Sequence, residues 1–183
     1  MKRHLALFVL IVSVVAACGG GGSNESSNQD FNGADVMFAQ MMIPHHEQAI
    51  ELSDIALDPT VGAATAVATL ATAIKAAQDP EISQMKGLLS TWEKPLTPED
   101  GMDHGSMMKG MLSPDEMNSL AALRAMQFDA AWAKAMIAHH EGAISMAEDV
   151  IKTGKNAEVR ALAETIVASQ EAEIAELQVI AGS

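Results

Sequence analysis

Two pairs of adjacent histidines are the residues of this chain that are best suited to bind a metal. His45 and His46 form the first pair, and His139 and His140 form the second. Imidazole is the commonest metal ligand among side chains, and a buried imidazole needs both a partner and the neutral form. Two such pairs predict a metal site, and a hydrogen-bonded polar core is the alternative.

Two methionines lie where a thioether could join an imidazole on one ion. Met42 precedes His46 by one helical turn, and Met136 precedes His140 by the same spacing. Side chains one turn apart on a helix are neighbours, so both donors can reach one ion. Thioether and imidazole donors without a thiolate suit Cu(I). Methionine also fills gaps in apolar cores, which is the alternative for both residues.

Two glutamates, Glu81 and Glu173, lie on the apolar faces of two further predicted helices. A carboxylate in such a position either binds the ion or accepts a hydrogen bond from a ligand histidine, and both options stay open. Glu47 and Glu141 follow the histidine pairs directly, but they fall on the opposite, solvated faces of their helices. We therefore interpret them as surface charges.

A loop rich in methionine and glycine lies between the two halves of the chain, at residues 95–112. It has no regular apolar period, so its methionines are not core residues. Thioethers need no deprotonation, so a site built from them keeps part of its affinity in acid. The loop is similar to the Met/His motifs of extracytoplasmic copper and silver resistance proteins, and a promiscuous binding surface is the alternative. Its candidate ligands are Met102, His104, Met107 and Met108.

An internal repeat indicates which elements position these residues. The segment 35–50 recurs as 129–144, and the segment 74–85 recurs as 166–177. Each half then consists of two helical segments, and a rotation of about 100° per residue turns both histidine pairs toward the apolar side. Strand signals are absent from the sequence. The repeat predicts an all-α fold, an antiparallel four-helix bundle made of two helical hairpins.

Capping residues predict where several helices begin. Asn32 and Asn156 can cap the first and last helices, and Ser113 begins a capping box for a separate short helix over 113–126. Pro80 lies inside the second helix, where its ring clashes with the preceding turn. We expect that helix to be kinked or split there.

Charge and composition exclude several classes of function. Lys and Arg number 11 against 24 Asp and Glu, and the formal net charge of −13 opposes nucleic-acid binding. A single Cys excludes an internal disulfide framework and any multi-thiolate metal site. Aromatic residues make up 3 % of the chain, too few for a base-stacking platform.

The N-terminus resembles a bacterial lipoprotein signal. Lys2 and Arg3 precede an uncharged apolar stretch over 5–17, which is too short to span a bilayer. In such signals the cysteine after the cleavage site, here Cys18, is lipidated and anchors the protein to the cell membrane. We therefore expect a signal peptide at 1–17, a flexible tether at 18–31 and one folded domain at 32–183. An ordinary secretory signal with an incidental Cys is the alternative.

The repeated motif resembles the family known as domain of unknown function three-oh-five, which is grouped with ferritin-like folds. Its signature is Phe/Trp-x-x-x-Met-Ile-x-His-His-Glu-x-Ala-Ile, present at 38–50 and 132–144, and a Gln-x-x-Glu-Ile-x-x-Met/Leu element follows in each half. Some members, the CopM-like periplasmic proteins, bind copper and limit its toxicity. Pro80 and Leu177 depart from the pattern and predict unequal halves. The resemblance implies these candidate ligands: His45, His46, His139, His140, Met42 and Met136.

These observations favour a lipid-anchored extracytoplasmic protein that sequesters or carries Cu(I), or Ag(I), and that exchanges it with a copper exporter or chaperone. A binuclear iron or manganese oxidase is the first alternative, but its usual Glu-x-x-His pairs are missing. Met42 and Met136 stand where those glutamates would be. A metal-free interaction module is the second alternative, and it leaves the paired histidines without a role.

Overall fold

The computed structural model describes residues 29–98 and 108–182, and these ranges contain five helices and no strand. None of these helices combines the length and the apolarity needed to cross a membrane. The helices are α1 (Gly33–Leu57), α2 (Thr65–Thr91), α3 (Pro114–Ala121), α4 (Ala125–Thr153) and α5 (Ala157–Ala181).

The predicted caps are confirmed at three helix starts. The Asn32 side chain accepts hydrogen bonds from the first turn of α1, and Asp35 returns one by accepting from the Asn32 N–H. Ser113 and Glu116 form the same reciprocal box at α3. Asn156 caps α5 through its side-chain oxygen. These side chains satisfy N–H groups that have no partner within the helix.

The short helix α3 is separate from α4, as predicted, but it ends at Ala121 rather than at residue 126. A turn at 122–124 follows, and the backbone of Ala125 has a positive φ of 49°. The Ala125 N–H donates to the Val61 carbonyl at 2.9 Å, which ties the start of α4 to the α1–α2 connection. This hydrogen bond between Ala125 and Val61 explains why α4 begins at Ala125 as a helix separate from α3.

The predicted split of α2 at Pro80 does not occur, because the helix is continuous from Thr65 to Thr91. Pro44 lies inside α1 in the same way. A proline removes one helical hydrogen bond. Ile74 and Ile82 are both buried on the two sides of Pro80, so core packing holds both parts of the helix in one element.

The helices pair as two hairpins, α1 with α2 and α4 with α5, and the hairpins meet through α1 against α4 and α2 against α5. Residues from the start of α1 share a core cluster with the end of α2, the end of α4 and the start of α5. Neighbouring helices are therefore antiparallel, and α3 packs on α4. This is the predicted four-helix bundle with one additional short helix.

The apolar core consists of two clusters, one toward each end of the bundle. The first contains Phe38, Met42 and Met85, and the second contains Trp132 and Met136. On α1 the first histidine pair lies between Ile43 of the first cluster and Ala49 of the second. On α4 the second pair lies between Met136 and Ala143, so the histidines occupy a level between the two apolar regions.

Two aspartates fasten the hairpins to each other. Asp35, on α1, accepts hydrogen bonds from the backbone N–H groups of Lys155 and Asn156, at 3.0 and 3.1 Å, in the α4–α5 turn. Asp129, its repeat equivalent on α4, accepts from the Ala64 N–H at 3.1 Å, in the α1–α2 turn. We call Asp35 and Asp129 the exchanged aspartates, because each hairpin supplies the acceptor for the turn of the other.

Candidate metal site

A layer of polar side chains crosses the bundle between the two apolar clusters. The exposed fraction of each paired histidine is 1 % or less, and that of Gln78 and Gln170 is 2 %. The predicted inward orientation of the histidines is therefore confirmed. We call the following residues the polar layer: His45, His46, Gln78, Glu81, His139, His140, Gln170 and Glu173.

Imidazole rings from the two hairpins meet inside this layer. The ring centroids of His45, on α1, and His139, on α4, are 3.8 Å apart, and the two ring planes are tilted by 42°. The rings of His139 and His140 are 6.4 Å apart. Nitrogen donors from both halves of the repeat are thus close enough to act on one small region.

The second histidine of each pair contacts a glutamate of its own hairpin. His46 Nε2 lies 2.8 Å from Glu81 Oε2, and His140 Nε2 lies 2.7 Å from Glu173 Oε2. The glutamate side chains are 12 % and 14 % exposed, whereas the imidazoles are fully buried. Each carboxylate therefore stands between the solvent and a buried ring, and the arrangement is repeated in both hairpins.

The first histidine of the first pair contacts the backbone of the interhelical loop. His45 Nε2 lies 3.3 Å from the Lys109 carbonyl oxygen, in the segment 108–112, which we call the strap. Gln48, one position beyond Glu47, holds the strap by accepting from the Leu112 N–H and donating to the Leu112 carbonyl, both at 2.8 Å. The loop thus returns to the bundle at the level of the histidines.

Two glycines permit this close approach. A Cβ atom at Gly142, on α4, would overlap the Lys109 carbonyl and lie 3.2 Å from His45 Nε2. Gly110, in the strap, has a φ of +86°, and a Cβ there would overlap the Ala138 carbonyl. Only glycine allows the backbones of the strap and α4 to touch at these two positions.

Burial keeps the two central imidazoles neutral. Desolvation, helped by the neighbouring His46, lowers the pKa of His45 from its ordinary value of 6.5 to about 3. Desolvation and the neighbouring His45 lower the pKa of His139 well below 6.5. Neutral imidazole is the form that binds a metal, because the lone pair of one ring nitrogen is then available.

Most ring nitrogens of the layer have no hydrogen-bond partner. Nδ1 of His45, His46 and His140 and both nitrogens of His139 are buried without one, as are amide atoms of Gln78 and Gln170. Buried polar atoms of proteins are normally paired, and each unpaired atom costs free energy. Such nitrogens fit an ion that accepts electron pairs.

No three or more His, Cys, Asp or Glu side chains among residues 29–98 and 108–182 come together in a way that could hold a metal ion. As the chain stands, at most two of these side chains therefore converge on any one point. Met42 and Met136 are fully buried and belong to the two apolar clusters, one on each side of the layer. Both thioethers therefore lie in the apolar core, and their role as metal ligands stays a prediction.

The remaining candidates are placed only in part. Met108 is buried in the strap, so the expectation that the loop methionines are not core residues is wrong for this residue. Met102, His104, Met107 and the predicted lipidation site Cys18 lie outside the described residues. Glu47 and Glu141 are exposed, as predicted. Sequence reasoning missed Gln48, Gly110 and Gly142, which place the strap beside His45. The two repeats differ here, because the position of Gln48 in the first is occupied by Gly142 in the second, and this difference is the signal that could have revealed these residues.

The family model described as a domain of unknown function, DUF305, matches residues 35–181. No curated protein matches the chain in sequence. A DUF305 fragment from Deinococcus radiodurans is 31 % identical, with a TM-score of 0.73, and the match covers 82 % of this chain and 97 % of that one. A DUF305 protein from Streptomyces coelicolor, considered to be secreted, is 31 % identical over 79 % of this chain and 89 % of its own, with a TM-score of 0.70.

The chain is also similar to CopM, a protein solved with metal ions. CopM in its Cu(II)-bound form is 30 % identical, with a TM-score of 0.70, and the match covers 81 % of this chain and 95 % of CopM. Structures of CopM in Cu(I)-bound and Ag-bound forms match as well. The fold described above is therefore one that holds copper and silver ions in a relative.

Proposed function

The chain belongs to the DUF305 family, and we propose that it binds Cu(I), and Ag(I) in the same way, outside the cytoplasm. Its role is to sequester the ion or to carry it to another protein in metal homeostasis or resistance. The proposal names a bound ion as cargo and assigns no reaction to the chain.

One observation carries this proposal: the neutral, buried rings of His45 and His139, one from each hairpin, have their centroids 3.8 Å apart, and three of their four ring nitrogens have no hydrogen-bond partner. A polar core kept for its hydrogen bonds would have satisfied these atoms. A soft monovalent ion accepts a few nitrogen and sulfur donors, which agrees with a layer of small donor groups between two buried thioethers. The similarity to CopM supports the same ions.

The proposed ligands are those expected from the sequence. In the layer they are His45, His46, His139 and His140, with Met42 and Met136 as thioether donors. In the loop, Met102, His104, Met107 and Met108 would form a second, weaker set that raises capacity. Glu81 and Glu173 support the histidines through the short contacts described above.

We also propose that the protein is anchored at the outer side of the cell membrane. Residues 1–17 would be removed as a signal peptide, Cys18 would be lipidated, and 18–31 would link the anchor to the domain at 32–183. The similarity to a relative considered to be secreted supports export. A Cys18→Ser variant is expected to leave the membrane fraction, and its retention there would contradict the anchor. A copper exporter or chaperone is the partner class that this location implies.

Metal binding is tested with the chain from residue 19 onward, which retains every described residue. We expect it to bind Cu(I) under anaerobic conditions and to compete with a colorimetric Cu(I) chelator. The variant with all four paired histidines replaced by Ala should lose most of the tight component. Circular dichroism must show that the variant is still helical. Unchanged stoichiometry and affinity in that variant would defeat the proposal.

The iron or manganese oxidase is tested by elemental analysis of the same preparation. A binuclear centre of that type uses carboxylates from several helices, with more carboxylate than imidazole. The layer instead has four imidazoles and two glutamates, and each glutamate contacts a histidine. We expect copper to bind without oxidase activity. Iron retained through purification, together with such activity, would favour the enzyme.

The loop is tested by deleting residues 101–111. We expect the stoichiometry of Cu(I) to fall while the helix content, measured by circular dichroism, stays near that of the parent. Loss of helicity on deletion would contradict a separate role for the loop. An unchanged stoichiometry would show that the loop contributes no ligand.

A further inference from the structure

We infer that Nδ1 is the metal-binding atom of His45, His46 and His140, and that Glu81, Glu173 and the Lys109 carbonyl are positioning groups that fix these rings through Nε2. The inference rests on the proposed function, which names the residues but neither the ring atoms nor the groups that orient them. It follows from which atoms of the layer can donate and which can only accept.

The partners of Nε2 determine the protonation of that nitrogen. A carbonyl oxygen and a carboxylate oxygen can only accept a hydrogen bond. The contacts of His46 with Glu81 and of His140 with Glu173, at 2.8 and 2.7 Å, therefore require a hydrogen on Nε2 of each ring. The 3.3 Å contact of His45 Nε2 with the Lys109 carbonyl requires the same. A nitrogen that donates a hydrogen has no lone pair to offer an ion.

The nitrogen that can bind a metal ion in each of these three rings is therefore Nδ1. Nδ1 of His45, His46 and His140 is buried and has no hydrogen-bond partner. Metal-binding histidines commonly donate their second ring N–H to a carboxylate or a backbone carbonyl, which fixes the tautomer and raises the basicity of the ligand atom. All three rings have that arrangement already, with a carboxylate in two cases and a carbonyl in the third.

The fourth ring differs. His139 has no partner at Nδ1 or at Nε2, although it lies 3.8 Å from the His45 ring. The backbone of His45 acts on this ring, but neither a glutamate nor the strap carbonyl fixes its tautomer as they do for the other three rings. The layer thus contains three imidazoles whose Nε2 is fixed by an acceptor and one imidazole, His139, that lacks such a contact.

Two contacts of the strap place the Lys109 carbonyl beside His45. The Gln48 side chain donates a hydrogen bond to the Leu112 carbonyl and accepts one from the Leu112 N–H. Gly142 has no Cβ and so leaves space for the Lys109 carbonyl beside His45. No strap residue contributes a side chain to this contact, so the strap acts through its backbone. Gln48 is therefore a positioning residue for His45 alone.

Imidazole ¹⁵N spectroscopy tests the inference directly. The chain from residue 19 onward is labelled with ¹⁵N-histidine, and long-range ¹H–¹⁵N spectra are recorded without metal and with Ag(I), a diamagnetic ion. Single His→Gln variants assign the signals. We expect His45, His46 and His140 to carry their hydrogen on Nε2 before addition, and Ag(I) to shift Nδ1 of the same rings. A hydrogen on Nδ1, or metal-induced shifts at Nε2, would overturn the inference.

The two failures can be distinguished in the same spectra. Ag(I) bound through Nε2 would overturn the assignment of ligand atoms but would leave the proposed function intact. A chain that takes up no Ag(I) would overturn both.

Matched variants test the positioning groups. Glu81→Gln and Glu173→Gln retain an accepting oxygen but lose the charge, so the Nε2 hydrogen should stay while Ag(I) affinity falls roughly 10–100-fold. Glu141→Gln, on the exposed face beside a histidine pair, is the control and should leave the affinity unchanged. Equal affinities for all three variants would contradict the role of the two glutamates.

Gln48→Leu separates the strap from the glutamates. Without the hydrogen bonds from Gln48 to Leu112 the strap should shift, and the ¹⁵N signals of His45 should then show a mixture of the two tautomers. The signals of His46 and His140 should keep their hydrogen on Nε2. A His45 ring that is unaffected by this variant would contradict the role of the strap.

Discussion

The two hairpins of this bundle have nearly the same histidine and glutamate residues but use the first histidine of each pair differently. His46 and His140 contact Glu81 and Glu173 at 2.8 and 2.7 Å, so this part of the repeat is preserved almost without change. His45 contacts the strap, whereas its equivalent His139 has no hydrogen bond to the strap or to a glutamate.

The difference follows from the single connection between the hairpins. A duplicated pair of hairpins has two equivalent histidine sites, but within 29–98 and 108–182 the connection between the hairpins contacts a histidine ring through one segment, 108–112. That segment is held by a hydrogen-bonding side chain on α1, and it approaches α4 so closely that a residue without a Cβ is needed there. The repeat accordingly has Gln48 in the first half and Gly142 at the equivalent position in the second. A symmetric layer thus becomes asymmetric without the loss of any imidazole.

The largest expected effect concerns the exchanged aspartates, whose environments differ between the hairpins. Asp35 is fully buried and accepts from three backbone N–H groups, whereas Asp129 is partly exposed and accepts from one. Asp35→Ala leaves three partly buried backbone N–H groups without their charged acceptor and should lower the free energy of unfolding by about 3 kcal/mol. Asp129→Ala should cost about 1 kcal/mol. Urea denaturation measures both, and equal losses would show that the two contacts are equivalent.

A second prediction tests the space at Gly142. Gly142→Ala places a Cβ against the Lys109 carbonyl, so we expect a loss of about 2 kcal/mol in the free energy of unfolding. Gly87→Ala is the matched control, because Gly87 lies in α2 with nothing within 4 Å of its Cβ position. That change should stabilise the protein by about 0.5–1 kcal/mol. Urea denaturation measures both variants. If both change the free energy of unfolding in the same direction, the close contact between Gly142 and the Lys109 carbonyl is contradicted.

A third prediction concerns pH and the central histidines. The folded-state pKa of His45 is about 3 and that of His139 is also lowered, so the unfolded chain binds these protons more readily. Stability without metal is therefore full above about pH 6.5 and is lost as the pH falls toward 3. Between pH 7.5 and 6.0 each imidazole should contribute about 1 kcal/mol of this loss.

Urea titrations of His45→Gln and His139→Gln at the two pH values test that dependence. Each variant should be less sensitive to acid than the parent, by a similar amount. A pH dependence that neither variant reduces would assign the effect to other groups.

The smallest expected effect concerns the thioethers. Met85, in the first cluster, is fully buried, and its repeat equivalent in the second cluster is the equally buried Leu177. Met85→Leu makes the two hairpins alike at this position and should change the free energy of unfolding by less than about 1.5 kcal/mol. If the thioether contributes to the first half of the site, Ag(I) affinity falls severalfold, as measured by calorimetry. An unchanged affinity would identify Met85 as a core residue only.

The helices and the inward histidines were predictable because each depends on local periodicity. Apolar residues that recur every turn define one face, and His45, His46, His139 and His140 lie on that face in both repeats. The caps at Asn32 and Ser113 were predictable for a similar reason, since a cap involves residues within one turn.

The contacts between elements were not predictable in the same way. The repeat brings Glu81 to the correct face but does not say whether its oxygen meets an ion or an imidazole. The strap has no period, and its contact with His45 depends on a loop that closes over a distant helix. Pro80 shows the opposite case: a strong local rule predicts a kink or a split, and burial on both sides of the proline keeps the helix unsplit.

The exchanged aspartates make each hairpin depend on the other during folding. The turn between α4 and α5 has its hydrogen-bond acceptor, Asp35, on α1, and the turn between α1 and α2 has its acceptor, Asp129, on α4. Neither hairpin can complete its own turn in isolation, so loosening of one half is transmitted to the other. The molecule should therefore melt in one cooperative transition, and a fragment cut at the central loop would be expected to fold only when its complement is added.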